Sequence, residues 1–222
     1  MYDEKDTGYF STVRIELLNL IPEENRNGTI LEIGAASAET LLYAKKHNYA
    51  KNIYGIELVD IPDSQQNSKE LEDFVIGNIE NISFPFPDVK FDAIILGDVL
   101  EHLIDPYKLL QELTQYLSPQ GVVIASIPNI REWKTMKQIF FKGDFKYADE
   151  GILDRTHLRF FTKKNIIDLF QDNGYTIQTI KSNNDKKPMD FLIKLRLIKT
   201  FMQAFLPDLL TVQYYVVAKV KE

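Results

Sequence analysis

The sequence contains no cysteine and only three histidines, His47, His102 and His157. The absence of thiols excludes disulfides, a thiolate zinc site and a cysteine nucleophile. Three histidines in 222 residues also argue against an all-histidine metal site. We therefore expect no metal centre in this protein.

An excess of basic residues is also missing, since 26 Lys and Arg stand against 32 Asp and Glu, for a formal net charge of −6. This balance argues against a broad nucleic-acid surface. No apolar run reaches membrane-spanning length, and residues 1–10 are acidic and polar, unlike a signal peptide. We expect a cytoplasmic protein, a monomer or homodimer, that binds no nucleic acid and does not insert stably into a membrane.

Short β-branched segments alternate with helical patterns, which is typical of βαβ units and a mostly parallel sheet. The predicted strands are Thr29–Ile33, Asn52–Glu57, Asp73–Ile76, Phe91–Leu96, Val122–Ile127, one ending at Ile180, and Thr211–Val220. Helices are predicted at Phe10–Leu20, from Ser37, from the cap Asp105-Pro106, and at Thr162–Asp172.

The chain shows no internal repeat and no low-complexity linker, so we predict a single domain over residues 1–222. Two long connections, residues 128–161 and 182–210, do not fit the alternation. Long connections in compact domains are usually lids or extra helices. We expect both to cover a site on the acceptor side. The second has an apolar stripe at helical spacing, which favours a helix that packs on the core over a lid that contacts lipid or forms a dimer.

A ligand site is predicted where the first strand turns into its helix. The chain must bend and approach a ligand closely there, and Gly34–Ala38 supply small residues. Glu32 can accept a hydrogen bond from a cationic group, and Glu57 ends the second strand, where a carboxylate can take both hydroxyls of a ribose. Because alanine disfavours positive φ, we expect Ala36 and Ala38 to keep negative φ.

These residues resemble the pattern of the class I S-adenosylmethionine (SAM)-dependent methyltransferases. That family has acidic residues and glycines at the positions held here by Glu32, Gly34, Glu57, Gly77-Asn78 and Asp92. Later segments look like a bacterial subgroup associated with O-methylation of cell-surface glycans and small molecules: Gly97–Leu103, Ser126–Asn129 and Asp154–Thr162. The match runs from about Ile30 to Ile180.

The resemblance implies a Rossmann-like α/β fold, with a mostly parallel seven-stranded sheet and helices on both faces, and SAM as cofactor. Asn78 and Ile79 would meet the adenine and Asp98 the methionine part, while Asp92, at the start of its strand, is expected to be structural. The cofactor-binding residues are then Glu32, Gly34, Ala35, Ala36, Ser37, Glu57, Leu58, Asn78, Ile79, Gly97 and Asp98.

Transfer of a methyl group to an acceptor oxygen needs a base, and histidine suits this role at neutral pH. His157 is the first candidate and His102 the second, although His102 can equally pack at the start of the next helix. The alternation of residues 156–161 predicts an extended segment with His157 on one face. Arg155 and Arg159 on that face would hold an anionic acceptor, or else form a structural ion-pair cluster with Asp154.

The expected acceptor is a small molecule, a sugar or a glycan or lipid-linked precursor. Two other functions remain open: a SAM-binding but catalytically inactive partner module, suggested by the alanine-substituted loop, and a nucleotide-binding oxidoreductase. The second is disfavoured because Ala36 and Glu39 stand where a nicotinamide fingerprint requires glycine.

Overall fold

The computed structural model describes residues 12–183 and 207–221. The helices in these ranges are α1 (Ile15–Leu18), α2 (Glu39–Lys46), α3 (Pro106–Leu113), α4 (Trp133–Lys142) and α5 (Lys163–Asp172). The strands are β1 (Gly28–Ile33), β2 (Ala50–Glu57), β3 (Asp73–Ile76), β4 (Phe91–Gly97), β5 (Leu117–Pro128), β6 (Tyr175–Asn183) and β7 (Gln213–Val220).

The strands form one seven-stranded sheet in the order β3-β2-β1-β4-β5-β7-β6. Strands β1 to β5 pair in parallel, and β7 runs antiparallel to β5 and β6. The predicted mostly parallel sheet is therefore confirmed. The strand order reverses between β1 and β4, and the crevice at the carboxyl ends of strands at such a switch point is where open α/β sheets bind ligands.

Helices cover both faces of the sheet, as predicted. The buried apolar residues form two clusters, and strand β4 contributes to both. Ile94 and Leu96 belong to one cluster, and Ala93 and Ile95 belong to the other. The first cluster includes the apolar residues of α3 and α5, and the second includes those of α1 and α2. Since successive strand residues point to opposite faces, a strand with every residue apolar is what a doubly covered sheet requires.

Asp92 has the structural role that the sequence predicts. Its Oδ2 accepts the Thr29 amide hydrogen at 2.8 Å, and its Oδ1 accepts the Ser118 hydroxyl at 2.8 Å. The carboxylate thus joins β1, β4 and β5 at the end of the sheet where β1 and β4 begin.

Strand β5 is longer than predicted. Residues 118–121 are expected to form a turn before Val122, yet the strand begins at Leu117, which pairs with Phe91. The register shifts between Phe91 and Ala93, and a Cβ on Gly121 would lie 2.6 Å from the Phe91 carbonyl oxygen. Glycine therefore serves here to let two backbones approach at an irregular strand pairing rather than to end a strand.

The connection at residues 128–161 contains α4, whose Glu132 cap accepts the Thr135 amide at 2.9 Å. Most of the predicted 182–210 segment lies outside the described residues, and its last residues form the short 3₁₀ helix Pro207–Leu210. The predicted Phe10–Leu20 helix is shorter in the described part, where α1 spans Ile15–Leu18. No helix within the described ranges is both long and apolar enough to cross a bilayer.

Candidate active site

A cavity of about 530 Å³ opens at the carboxyl ends of β1, β2 and β4. This size is ordinary for a small-molecule site. Ten of the eleven predicted cofactor-binding residues line it: Glu32, Gly34, Ala35, Ala36, Glu57, Leu58, Asn78, Ile79, Gly97 and Asp98. Ser37 is buried and does not line the cavity. Residues that sit far apart in the sequence therefore meet at the predicted place in the fold.

The loop after β1 has a shape that the sequence reasoning did not foresee. Gly34 has φ +75°, as glycine allows, but Ala36 and Ala38 also have positive φ, +45° and +66°. The prediction of negative φ at these two alanines is wrong. The loop thus has the left-handed backbone conformation that glycines would adopt. At Ala36 and Ala38 this conformation is strained, because the Cβ of an L-residue is crowded at positive φ.

Gly34 is needed for space as well as for its backbone angle. A Cβ at this position would lie 2.6 Å from Cγ2 of Val99, in the segment that follows β4. The amides of Gly34 and Ala35 both donate to the Ile56 carbonyl oxygen, at 2.8 and 3.1 Å, which anchors the loop to β2. The loop is therefore held between its two neighbouring strands.

Glu32 is almost fully buried at the base of the cavity, and its Oε2 has no hydrogen-bond partner. Burial raises the pKa of this carboxyl to about 8; the positive charge of Arg14 opposes the increase and the negative charge of Glu57 adds to it. A buried carboxyl with an unpaired oxygen is suited to a cationic ligand group, which would stabilise its charged form. The ammonium and sulfonium groups of SAM both meet that requirement.

Glu57 ends β2 and its carboxylate is already engaged by the backbone. Oε2 accepts the Ala36 amide at 2.8 Å, and Oε1 accepts the amides of Leu58 and Val59 at 2.7 and 3.3 Å. Burial raises its pKa while these three hydrogen bonds lower it, and the net direction is upward. A carboxylate has about four acceptor positions, so one position on Oε2 remains for a ribose hydroxyl.

The side of the cavity that is predicted to hold adenine is bounded by Asn78, Ile79 and Leu58. Asn78 Oδ1 accepts the Glu80 amide at 2.9 Å, which fixes the side chain at the turn after β3. Leu58 is exposed over 42% of its surface although it lies on the cavity wall. An exposed leucine beside a cavity offers an apolar surface for a flat ring.

Asp98 follows β4 with φ +56° and lies in a network of polar contacts. Its Oδ2 forms an ion pair with Arg14 at 2.8 Å, and its Oδ1 accepts hydrogen bonds from Ser126 Oγ at 3.0 Å and from the side-chain amide of Gln213. Arg14, Gln213 and Tyr215 also line the cavity but were not predicted from the sequence. No local sequence pattern identifies these three residues as site residues, because only the folded sheet brings the start of α1 and β7 to the end of β4.

Of the two candidate bases, only His102 lines the cavity; His157 is buried behind it. Their rings meet edge to face with centroids 4.7 Å apart. Nδ1 of His102 lies 3.1 Å from the Thr156 carbonyl oxygen, and Nδ1 of His157 lies 3.0 Å from that of Ile152. The structure thus brings both histidines together. His102, the second candidate from the sequence, is the one that reaches the cavity, whereas His157, the first candidate, does not line it.

Glu101 lies beside them in the 3₁₀ helix Leu100–His102 that follows β4. It is only 1% exposed, and neither Oε1 nor Oε2 has a hydrogen-bond partner. Burial, with the negative charges of Asp98 and Asp154, holds its pKa well above the usual range. The only signal of this residue in the sequence is its place in the Gly97–Leu103 motif.

The extended segment predicted for residues 156–161 is wrong in its first part. The His157 amide donates to the Asp154 carbonyl oxygen at 3.0 Å, and the Thr156 amide to Asp154 Oδ1 at 2.8 Å, so the chain turns. Leu158, predicted to be buried, is 54% exposed. An aspartate side chain that bonds two residues ahead competes with extended structure.

The two arginines contact different parts of the structure. Arg155 pairs with Asp149 and lines a separate groove of about 740 Å³, together with Lys134 and Lys146. Arg159 donates to the Ile104 carbonyl oxygen. Their role toward an acceptor or toward Asp154 stays a prediction.

Comparison with known proteins gives the class. The sequence matches the methyltransferase-domain family over residues 6–180. It is 25% identical over 141 residues to a demethylmenaquinone methyltransferase of Listeria welshimeri, covering 58% of this chain and 58% of that protein. The chain thus spans under two thirds of the length of that relative.

Two solved structures share the fold. A SAM-dependent methyltransferase of Clostridium acetobutylicum has a TM-score of 0.60 at 15% identity, with 100% of this chain and 94% of that chain covered. The 1,6-didemethyltoxoflavin-N1-methyltransferase of Burkholderia thailandensis, solved with S-adenosylhomocysteine, has a TM-score of 0.64 at 14% identity, covering 100% and 84%.

The sheet order, the cavity at its switch point and these likenesses define a Rossmann-like methyltransferase fold. The chain belongs to the methyltransferase-domain family. Family membership supports SAM as the cofactor. The residues present fit it, because Glu32 lines the cavity with one oxygen that has no hydrogen-bond partner, and Gly34 and Ala36 of the neighbouring loop line the same cavity.

Proposed function

We propose that this protein uses SAM to methylate an oxygen atom of a small molecule, a sugar or a glycan or lipid-linked precursor. The observation that carries the SAM part is the convergence of ten predicted cofactor positions on one cavity with a buried, unpaired carboxyl at its base. The methionine part would lie over Gly34 and beside Asp98, the ribose at Glu57, and the adenine by Asn78 and Ile79.

The proposed base is His102, with His157 supporting it. His102 lines the cavity and is held by its contact with the Thr156 carbonyl. Because a carbonyl oxygen only accepts, Nδ1 carries the hydrogen and Nε2 of the neutral ring has the lone pair that a base needs. In-line transfer then depends on holding the acceptor oxygen about 3 Å from the methyl group in a site closed to water.

Residues 128–161 are proposed to cover the acceptor side of a single domain, together with residues 182–210. The amides of Leu158 and Arg159 donate to the Glu101 carbonyl at 2.8 and 2.9 Å, which ties this connection to the end of β4. Phe140 and Phe141 on α4 are 75% and 68% exposed, an apolar surface that suits the lipid part of an acceptor. Arg155 and Arg159 remain the proposed contacts for an anionic acceptor group.

The alanines of the loop were the reason to consider an inactive SAM-binding module. Ala36 and Ala38 adopt the positive φ of the glycines they replace, so the loop shape gives no support to that alternative. The cytoplasmic location, the absence of a nucleic-acid partner and a monomeric or homodimeric state remain predictions.

The test is transfer of a labelled methyl group from SAM to panels of nucleotide sugars, glycolipid precursors, quinone precursors and peptides. Quinone precursors are included because of the name of the Listeria relative. Labelled product with one panel, and its loss in His102→Asn with SAM affinity kept, supports the proposal. SAM binding that is undetectable by calorimetry would refute it.

A further inference from the structure

The carboxyl group of Glu101 is buried, and neither of its oxygens has a hydrogen-bond partner. The residue as a whole is 1% exposed. Its position is fixed, since its own carbonyl oxygen accepts the amides of Leu158 and Arg159. An isolated buried carboxylate is strongly unfavourable unless a positive group compensates it. Arg14, whose positive charge acts on Glu101, is engaged by Asp98 and Glu16.

Two imidazole rings approach this carboxyl from different segments. His102 and His157 each place Nδ1 at about hydrogen-bond distance from a backbone carbonyl, 3.1 and 3.0 Å. Since a carbonyl oxygen cannot donate, each Nδ1 carries the hydrogen, and each neutral ring has its lone pair on Nε2. Metal-ligating histidines commonly have one ring nitrogen that donates to a backbone carbonyl while the other binds the ion.

The three side chains offer ligand atoms that converge. One atom each from Glu101, His102 and His157 lies within 4.8 Å of the other two. In a tetrahedral site with ligands about 2.0–2.2 Å from the ion, neighbouring ligand atoms lie roughly 3.3–3.6 Å apart. The ligand atoms therefore have to approach one another by up to about 1.5 Å, which rotations of the three side chains can supply.

We propose that Glu101, His102 and His157 bind one divalent transition-metal ion of the Zn²⁺, Mn²⁺ or Fe²⁺ type. Two histidines and one carboxylate are the donor set these ions accept, whereas Mg²⁺ and Ca²⁺ prefer oxygen ligands alone. The expectation of no metal, drawn from the histidine count, considered all-histidine and thiolate sites and missed this mixed set.

The ion would lie at the wall of the cavity, because His102 lines it. Three protein ligands leave a coordination position for water or for an acceptor oxygen. The role toward an acceptor rests on the proposed function. There, the bound ion would make an acceptor hydroxyl easier to deprotonate. The proton would pass to water and the acceptor oxygen would take the methyl group from the sulfonium, which would leave as S-adenosylhomocysteine. With the ion bound, His102 would act as a ligand and not as the base.

The experiment uses the full chain, purified without a histidine tag and stripped with a chelator. Titration with Zn²⁺ by calorimetry, and elemental analysis after dialysis, should give one ion per chain. Co²⁺ in the same site should give visible absorption bands. Glu101→Gln and His157→Asn should each weaken Zn²⁺ binding by at least tenfold, while the matched control His47→Asn should bind as the wild type does, since His47 stacks on Tyr43 elsewhere.

Absence of Zn²⁺ binding by the wild type, or equal loss in His47→Asn, would overturn the proposal. If a variant fails to fold, Co²⁺ shifts in the NMR spectrum of the wild type decide: shifted ring protons of His102 and His157 support the site, and shifts at His47 alone refute it. SAM binding is measured separately on the stripped protein. Loss of SAM binding would refute the proposed function and leave the metal result standing.

Discussion

The pKa of Glu32 leads to a pH dependence of cofactor binding that can be worked out in advance. Its value of about 8 means that, at pH 7, roughly nine tenths of the free protein carries a protonated Glu32. A cationic ligand against Oε2 favours the ionised form. Binding of SAM should therefore release close to one proton at pH 7, and its affinity should rise with pH.

The magnitude follows if only the ionised carboxyl binds well. The apparent Kd is then proportional to 1 + 10^(pKa − pH). With a pKa of about 8, the apparent Kd should fall roughly ninefold from pH 6 to pH 7. Calorimetry in two buffers with different ionisation enthalpies measures both the affinity and the proton release. Measurements stay below pH 7.5, because the amino group of SAM itself titrates near 8.

Glu32→Gln is the matched control, since it keeps the shape and removes the titration. Its SAM affinity should be weaker and flat with pH. The folded-state pKa lies above the ordinary value of 4.5, so ionisation of Glu32 disfavours the folded protein, and stability falls as pH rises from about 4.5 to about 8. Glu32→Gln should thus gain thermal stability over the wild type as pH rises. No proton release by the wild type, with the same pH profile in both proteins, would refute the reasoning.

Three further outcomes are expected. Glu57→Gln, which puts an amide group against backbone N–H donors, should weaken SAM binding by roughly ten- to a hundredfold in calorimetry; unchanged affinity would remove Glu57 from the site. Ala36→Gly should stabilise the protein by up to about 1 kcal/mol in denaturant unfolding, because φ is +45° there, whereas the buried neighbour Ala35→Gly should destabilise it; a loss in both would show that the strain is absent. Asp92→Asn should lower the free energy of unfolding by about 1–3 kcal/mol through its lost bond to Thr29, with SAM affinity kept, and a changed affinity would contradict its purely structural role.

Strand positions were predictable because the buried sheet requires continuous apolar segments. Asp73–Ile76 has the predicted bounds, and α5 begins after Thr162, whose side chain and Asn165 form a reciprocal cap. Such signals are local, so the sequence alone contains them. The start of β5 was missed because Ser118–Gly121 reads as a turn, while the pairing of Leu117 with Phe91 depends on a distant strand.

The cofactor side of the site was predictable for the same reason, since each residue sits at a strand end. The acceptor side was not. The alternation around His157 was overridden by the side chain of Asp154, which forms a turn by accepting from Thr156. The cluster of Glu101, His102 and His157 depends on contacts between the end of β4 and a segment some fifty residues later. Hydrophobic periodicity in the sequence does not predict such long-range contacts.

The antiparallel placement of β7 has a consequence for how this protein can change. Asn183 at the end of β6 and Gln213 at the start of β7 pair with each other, and both line the cavity. The chain between them leaves and rejoins the sheet at the mouth of the site. The strand pairs of β7 with β5 and β6 that the structure describes are formed by residues outside 184–206. If residues 182–210 cover the acceptor side as proposed, replacing 184–206 as a block is a way to alter acceptor choice, with Asn183 and Gln213 kept as the junctions.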